Sequence, residues 1–243
     1  MIEIIPAILP KDYEDLKNKI ALVRGVVPLV QIDICDGIFV KTVTWPFSSR
    51  AKSRDSGESF FEDYLDEHFK KILKEEEGLP FWEDIDFEFD LMVSDAVENF
   101  DIYTKLGVKR IIFHIDAIGD LEEFRDFLEG MDPYVKDNIE LGIAVNLKTN
   151  LELIFPIINF IDFVQCMGIE HIGFQGQDFD DRVLEQIKTL REKFPDLIIS
   201  VDGGVDLNMA PALASAGASR LVVGSAIFNS DDIIDTIEKF RQI

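Results

Sequence analysis

Three aspartates stand where acids are costly. Asp33 lies in Leu29-Val30-Gln31-Ile32-Asp33-Ile34-Cys35-Asp36-Gly37, and Asp90 in Phe87-Glu88-Phe89-Asp90-Leu91-Met92-Val93. Asp202 follows the apolar run Leu197–Val201 and precedes Gly203-Gly204. A carboxylate inside an apolar run loses its hydration, so it must be paired, protonated or bound to a cation. Strand alternation puts Leu29, Gln31, Asp33 and Cys35 on one face. Three such acids from three strands point to a shared cation or to shared protons. Any one of them read alone could be a helix cap or a surface acid.

Glycine-rich segments supply a second kind of chemistry. They are Gly173-Phe174-Gln175-Gly176-Gln177, Gly203-Gly204 and Gly224-Ser225. Glycine lets backbone N–H groups approach an anion closely. One glycine pair alone could be a tight turn, but three segments at successive strand ends read as a phosphate cradle.

These groups need a scaffold that brings strand ends together. Apolar strands are expected at Ile2–Leu9, Leu29–Ile34, Phe87–Val93, Arg110–Ile115, Glu140–Val145, Phe163–Met167, Leu197–Val201 and Leu221–Gly224. Helices are expected to begin near Asp12, Ser59, Asp95, Asp120, Thr149, Asp180, Leu207 and Ser230. Thr149-Asn150-Leu151-Glu152 and Asp120-Leu121-Glu122-Glu123 read as capping boxes. Near-continuous apolar strands are those buried on both faces. Alternating units of about 30 residues imply an α/β fold, a (β/α)8 TIM barrel occupying 1–243 as a single domain. A doubly wound open sheet is the competing arrangement. In a barrel, ligands meet the C-terminal strand ends, and the loops after strands 7 and 8 commonly hold phosphate. The rhythm breaks once, in an extended segment at about 47–82. There the polar stretch Phe47–Gly57 reads as a loop or lid, and Ser59–Glu77 reads as a helix. That helix is either a surface decoration or a cover over the barrel mouth.

Composition narrows the partners. The 243 residues are 47% hydrophobic with a formal net charge of −23. No basic stripe exists to neutralise a nucleic acid or an acidic membrane. No run of 18 apolar residues suggests a membrane span, and the N-terminus lacks a secretion signature. Two cysteines, Cys35 and Cys166, on separate strands read as free thiols, and a cytoplasmic location follows as the default. The acidity also means that a phosphorylated ligand requires a locally positive site, which backbone N–H groups can build.

At this point the sequence resembles a known family, the ribulose-phosphate 3-epimerases. The matching segments are Ile5-Pro6-Ala7-Ile8-Leu9, Ile32 to Val40, Asp90-Leu91-Met92-Val93, His114, Asn146, Gly173 to Gln177, Val201-Asp202-Gly203-Gly204 and Gly224 to Phe228. The resemblance implies a ribulose-phosphate-binding barrel, an isomerase of pentose phosphate metabolism and a phosphorylated pentulose or hexulose as substrate. It implies that Asp33 and Asp202 exchange protons on opposite faces of the carbon beside the carbonyl, with a divalent metal stabilising the enediolate. It assigns phosphate contacts to Gly173, Gly176, Gly203, Gly204, Gly224 and Ser225. It places Ala7, Cys35, Met92, His114, Asn146 and Met167 along the pocket. It also implies assembly into a homo-oligomer, for which the 20 phenylalanines leave apolar surface.

The departures carry equal information. The metal ligands of the family are two histidines and the two aspartates, and the histidine positions here are Gln31 and Asp90. The usual serine of the first strand is Ala7, and the Asn-Pro before the glycine-rich loop is Glu170-His171, with Ile172 as an apparent insertion. Amide and carboxylate oxygens favour magnesium, manganese or calcium over zinc or iron. The expectation is therefore an all-oxygen site of Gln31, Asp33, Asp90 and Asp202. The opposing expectation is a lost metal and a non-catalytic phosphosugar-binding relative. Aldolase or lyase chemistry lacks a strand-end lysine. The remaining histidines, His171 beside the phosphate loop and His68 in the inserted helix, read as a loop and a surface residue.

Overall fold

The computed structural model describes residues 2–47 and 65–243. Eight parallel strands close into a barrel in the order of the sequence. They are β1 (Glu3–Ile8), β2 (Leu29–Cys35), β3 (Asp86–Met92), β4 (Arg110–His114), β5 (Glu140–Val145), β6 (Phe163–Met167), β7 (Ile198–Asp202) and β8 (Arg220–Val223). Their apolar runs are buried on both sides because helices cover the outer face. The register sets Asp33 beside Asp90 and Met167 beside Asp202. These pairings bring strand-end side chains from distant parts of the chain to the same height.

The helices are α1 (Tyr13–Val23), α2 (Glu67–Leu73), α3 (Phe100–Thr104), α4 (Leu121–Gly130), α5 (Pro133–Asn138), α6 (Arg182–Lys193), α7 (Ala210–Ala216), α8 (Ser225–Phe228) and α9 (Ile233–Arg241). Asp12 caps α1 by accepting from the Asp15 N–H, and Leu16, Ile20 and Val23 turn its apolar side to the barrel. Asp120 caps α4 at the expected place, accepting from the N–H groups of Glu122 and Glu123. Each such cap satisfies amide groups that the first turn leaves without partners.

Several expectations are corrected. The helix expected from Thr149 is instead a pair of short 3-10 turns, Leu151–Leu153 and Phe155–Phe160. Pro156 lacks the N–H that an α-helix needs there. The cap is Asn150, because the Thr149 hydroxyl is engaged with Asp116. The helix expected from Leu207 begins at Ala210, since the Asp206 carboxylate gathers the N–H groups of Asn208 and Met209 into a turn. The last helix starts beyond Ser230 and is capped by Asp232. The lid expected at Phe47–Gly57 and the helix start at Ser59 lie almost wholly outside the described residues. Of that expected helix, Glu67–Leu73 is helical and capped by Asp66, and its apolar Phe69 and Ile72 are buried. Among the described residues no helix is long and apolar enough to cross a membrane.

Candidate active site

The barrel interior carries charge at both ends. At the C-terminal end, one oxygen each of Asp33, Asp90 and Asp202 lies within 4.8 Å of the other two. The Gln31 carboxamide sits beneath them. Its Nε2 donates to Asp33 Oδ1 at 2.8 Å and to Asp202 Oδ2 at 2.9 Å. Asp90 is bound from the other side. His114 Nε2 lies 2.7 Å from Asp90 Oδ1, and Gln165 Nε2 donates to Asp90 Oδ2 at 3.3 Å. Among the described residues no lysine or arginine pairs with the cluster, so the acids raise one another's proton affinity. Burial, then the Asp202 and Asp90 charges, push Asp33 well above the usual carboxylate range. Burial and the Asp90 charge push Asp202 up to about 7, against the Gln31 hydrogen bond that lowers it.

The cluster has the dimensions of a cation site. Oxygens on opposite sides of a bound calcium are about 4.8 Å apart and of magnesium about 4.2 Å, twice the metal–oxygen distance. The Gln31 Oε1 is buried and accepts no hydrogen bond. An amide turned over on its axis exchanges donor for acceptor. Facing bare carboxylates, the NH2 is the favourable end; facing a cation, the oxygen is. The residues present therefore fit a hard divalent ion held by Asp33, Asp90, Asp202 and the turned Gln31 oxygen.

A cavity of about 50 Å³ adjoins the acids, and Ala7, Asp33, Met92, Met167 and Asp202 line its floor and walls. Gly173, Gly176, Gly203, Gly204, Gly224 and Ser225 line it too. Gly204 has φ +67°, and a Cβ there would lie 2.7 Å from the Phe179 Cα. A side chain is thus excluded twice, by conformation and by contact with backbone. The turn leaves bare main chain lining the cavity.

Three expected pocket residues, Cys35, Asn146 and His114, do not line this cavity. Cys35 alternates onto the face of Asp33, but Val40 and Met92 cover it and it is fully buried. Burial, with Asp33 and Asp90 nearby, pushes its thiol well above the ordinary range. Asn146 does not line the cavity. Its Nδ2 donates to Asp116 Oδ2 at 2.5 Å, which draws it toward the loop after β4. His114 is buried against Asp90, and its Nδ1 has no hydrogen-bond partner. His171 and His68 lie outside the cavity. His68 stacks on Tyr13 with ring centroids 3.8 Å apart.

Three contributors were not singled out from sequence. Gln165 holds Asp90, and Ser200 Oγ lies 3.4 Å from Gln165 Oε1. Asp36 ties the loops after β2 and β3 together by accepting from Ile38, Phe39 and Ser94. Gln165 and Ser200 are polar residues at inward positions of apolar strands, the same signal that marks Gln31.

Comparisons with known proteins bear on the fold and the family. The chain is 26% identical over 247 residues to the ribulose-phosphate 3-epimerase of Bacillus subtilis, covering 99% of each chain. It is 28% identical to a ribulose-phosphate 3-epimerase of Oryza sativa described as the cytoplasmic isoform, covering 99% of this chain and 93% of that one. Among solved structures, KGPDC from Streptococcus mutans aligns over 100% of this chain and 96% of its own, with a TM-score of 0.66 at 11% identity. A 3-hexulose-6-phosphate synthase from Salmonella typhimurium aligns over 99% and 97%, with a TM-score of 0.64 at 13% identity. At such identities the structures attest the shared barrel alone. The family model described as the ribulose-phosphate 3 epimerase family matches residues 71–228, and with that match the chain belongs to the ribulose-phosphate 3-epimerase family.

Proposed function

We propose that this protein epimerises a phosphorylated ketose, a pentulose or hexulose phosphate, by proton transfer between Asp33 and Asp202. One observation carries the reading. The two carboxylates come from β2 and β7, converge on a single amide nitrogen, and line the same cavity as the glycine-rich segments.

The chemistry needs one ionised and one protonated carboxyl. The ionised aspartate takes the proton from the carbon beside the carbonyl. The electron pair moves onto the carbonyl oxygen, and the protonated aspartate delivers its proton to the opposite face. The configuration inverts and the two carboxyls exchange states. Burial and mutual repulsion raise both groups, and Asp202 at about 7 is poised to carry either state near neutral pH. Met92 and Met167 give apolar walls that shield the reacting carbon from water. Main-chain N–H groups of the cradle would hold the phosphate without an added cation. A magnesium, manganese or calcium ion held by Asp33, Asp90, Asp202 and Gln31 would supply positive charge to the developing oxyanion when bound.

A second reading, a phosphosugar-binding protein without turnover, is favoured by the Gln31 N–H bonds that occupy both aspartates. Proton NMR in D2O separates the two. Ribulose 5-phosphate and other ketose phosphates are incubated with magnesium, calcium, zinc or a chelator. Deuterium entering at the carbon beside the carbonyl is the expected result. Binding of the same sugars with no exchange under any condition sinks the epimerase reading.

A further inference from the structure

The cavity beside the acids must accept an anion without a cationic side chain of its own. Among the described residues that line it there is no lysine or arginine. Its side-chain donors are the Ser225 hydroxyl and the carboxamides of Gln175 and Gln177. Gln177 is already committed, because its Nε2 donates to the carbonyls of His171 and Phe174 within the same loop. Gln175 behaves differently. It reaches from the loop after β6 to the end of β1, where its Nε2 donates to the Ala7 carbonyl at 3.3 Å. On the way it crosses Gly224 so closely that a Cβ there would lie 2.9 Å from its Nε2 and 3.4 Å from its Cδ.

Two features mark that carboxamide as exchangeable. A bond of 3.3 Å lies beyond the common range for N–H···O, so little is lost when it breaks. It also borders the cavity that Gly224 and Ser225 line, so a ligand entering there meets it directly. A ligand that reaches Gly224 and Ser225 comes against the Gln175 carboxamide, and N–H groups released from the Ala7 carbonyl are then free to meet its anionic end. A neutral donor also suits the site. A lysine or arginine in that place would pair with Asp33 and Asp202 and hold both of them ionised.

We propose that Gln175 is a ligand-binding residue that leaves the Ala7 carbonyl and donates its amide N–H to the phosphate of the bound sugar. The inference rests on the phosphosugar reading above and adds to it the residue that discriminates a phosphorylated from a free sugar. The same geometry permits the opposite role, a plug that merely fills the cavity, and the two predict opposite signs. The experiment measures equilibrium binding of ribulose 5-phosphate and of inorganic phosphate to the intact wild-type chain and to Gln175→Ala and Gln175→Glu. Gln175 is exposed on a surface loop, so both variants should fold, and circular dichroism checks that they do. The expected result is about tenfold weaker binding of both probes in Gln175→Ala, the scale of one hydrogen bond to a charged group. Gln175→Glu should be weaker still, since a carboxylate repels the phosphate. Unchanged or tighter binding in Gln175→Ala overturns the inference and identifies a plug. A wild-type protein that binds neither probe overturns the phosphosugar reading itself, and the inference falls with it.

Discussion

The two ends of the barrel interior each gather three acids, but they treat them differently. At the N-terminal end Glu3, Glu88 and Glu140 meet two arginines. Arg110 lies 3.2 Å from Glu3, 3.5 Å from Glu88 and 3.0 Å from Glu140. Arg220 lies 3.0 Å from Glu3 and 2.8 Å from Glu140, and its guanidinium rests 4.8 Å above the Phe163 ring. At the C-terminal end the side chains that Asp33, Asp90 and Asp202 meet, among the described residues, are two carboxamides and one imidazole. The first end is neutralised internally and closes the barrel. The second keeps an excess of negative charge that a cation, a proton or a substrate can relieve. Charge balance thus separates the end that stabilises from the end that can react, within one fold and one set of strands.

The largest expected difference lies in turnover. Asp33→Asn and Asp202→Asn should each slow deuterium exchange into a ketose phosphate by roughly 10²- to 10⁴-fold, the usual range for a proton-transferring group. Neither should lower the melting temperature, because each removes one of three mutually repelling carboxylates. Exchange surviving within tenfold of wild type would sink the two-aspartate reading.

The opposite end should respond in stability. Arg110→Met leaves Glu3 and Glu140 to Arg220 alone and takes the nearer guanidinium from Glu88, and it should cost roughly 1–3 kcal/mol by urea denaturation, as stranding buried polar groups does. Phosphate binding by the folded fraction should stay unchanged. A loss of similar size from Asp90→Asn would erase the contrast between the two ends.

Cation binding sharpens the contrast further. Magnesium or calcium at 100 times its dissociation constant should stabilise the wild type by ~2.7 kcal/mol. Asp90→Asn should remove that gain, and Arg110→Met should retain it. Calorimetric unfolding with and without chelator measures both. A gain that persists in Asp90→Asn would place the ion elsewhere.

This contrast was partly legible in the sequence. The strands could be read because each is an apolar run bounded by turn residues, and Asp33, Asp90 and Asp202 stood out as acids within or at the end of such runs. Their convergence follows from barrel register, in which Asp33 pairs with Asp90. Partners distant in the chain were not legible. Asn146 is drawn from the cavity by Asp116, thirty residues away, and Cys35 is covered by Val40 and Met92. The capping pattern at Thr149 suggests an α-helix after β5, and Pro156, a few residues on, limits the segment to 3-10 turns. The neutralised end was missed because its charges sit at strand starts, where glutamate and arginine also occur as ordinary surface residues. Gln175 carries no local signal, since nothing near it in the sequence reveals that its side chain crosses to β1.

The last prediction probes the least well paired acid of the N-terminal end. Both Glu88 oxygens are buried without a hydrogen bond, and Arg110 is 3.5 Å away. Desolvation outweighs that attraction and pushes the Glu88 carboxyl up to about 8, from 4.5 for the ordinary group. Between those values the folded state holds a proton that the unfolded state has released. Stability linked to Glu88 is therefore complete below about 4.5 and is lost as pH rises through about 8. The slope for one proton is at most ~1.4 kcal/mol per pH unit. Asp33 and Asp202 are raised too and slope the same way, so the wild type alone cannot isolate Glu88. Glu88→Gln imitates the neutral carboxyl and cannot ionise. Its stability advantage over wild type, measured in chelator, should grow steadily from pH 5 to pH 8. A constant difference would mean that Arg110 keeps Glu88 ionised throughout, which would make the N-terminal end a fully paired plug and widen its distance from the reactive end.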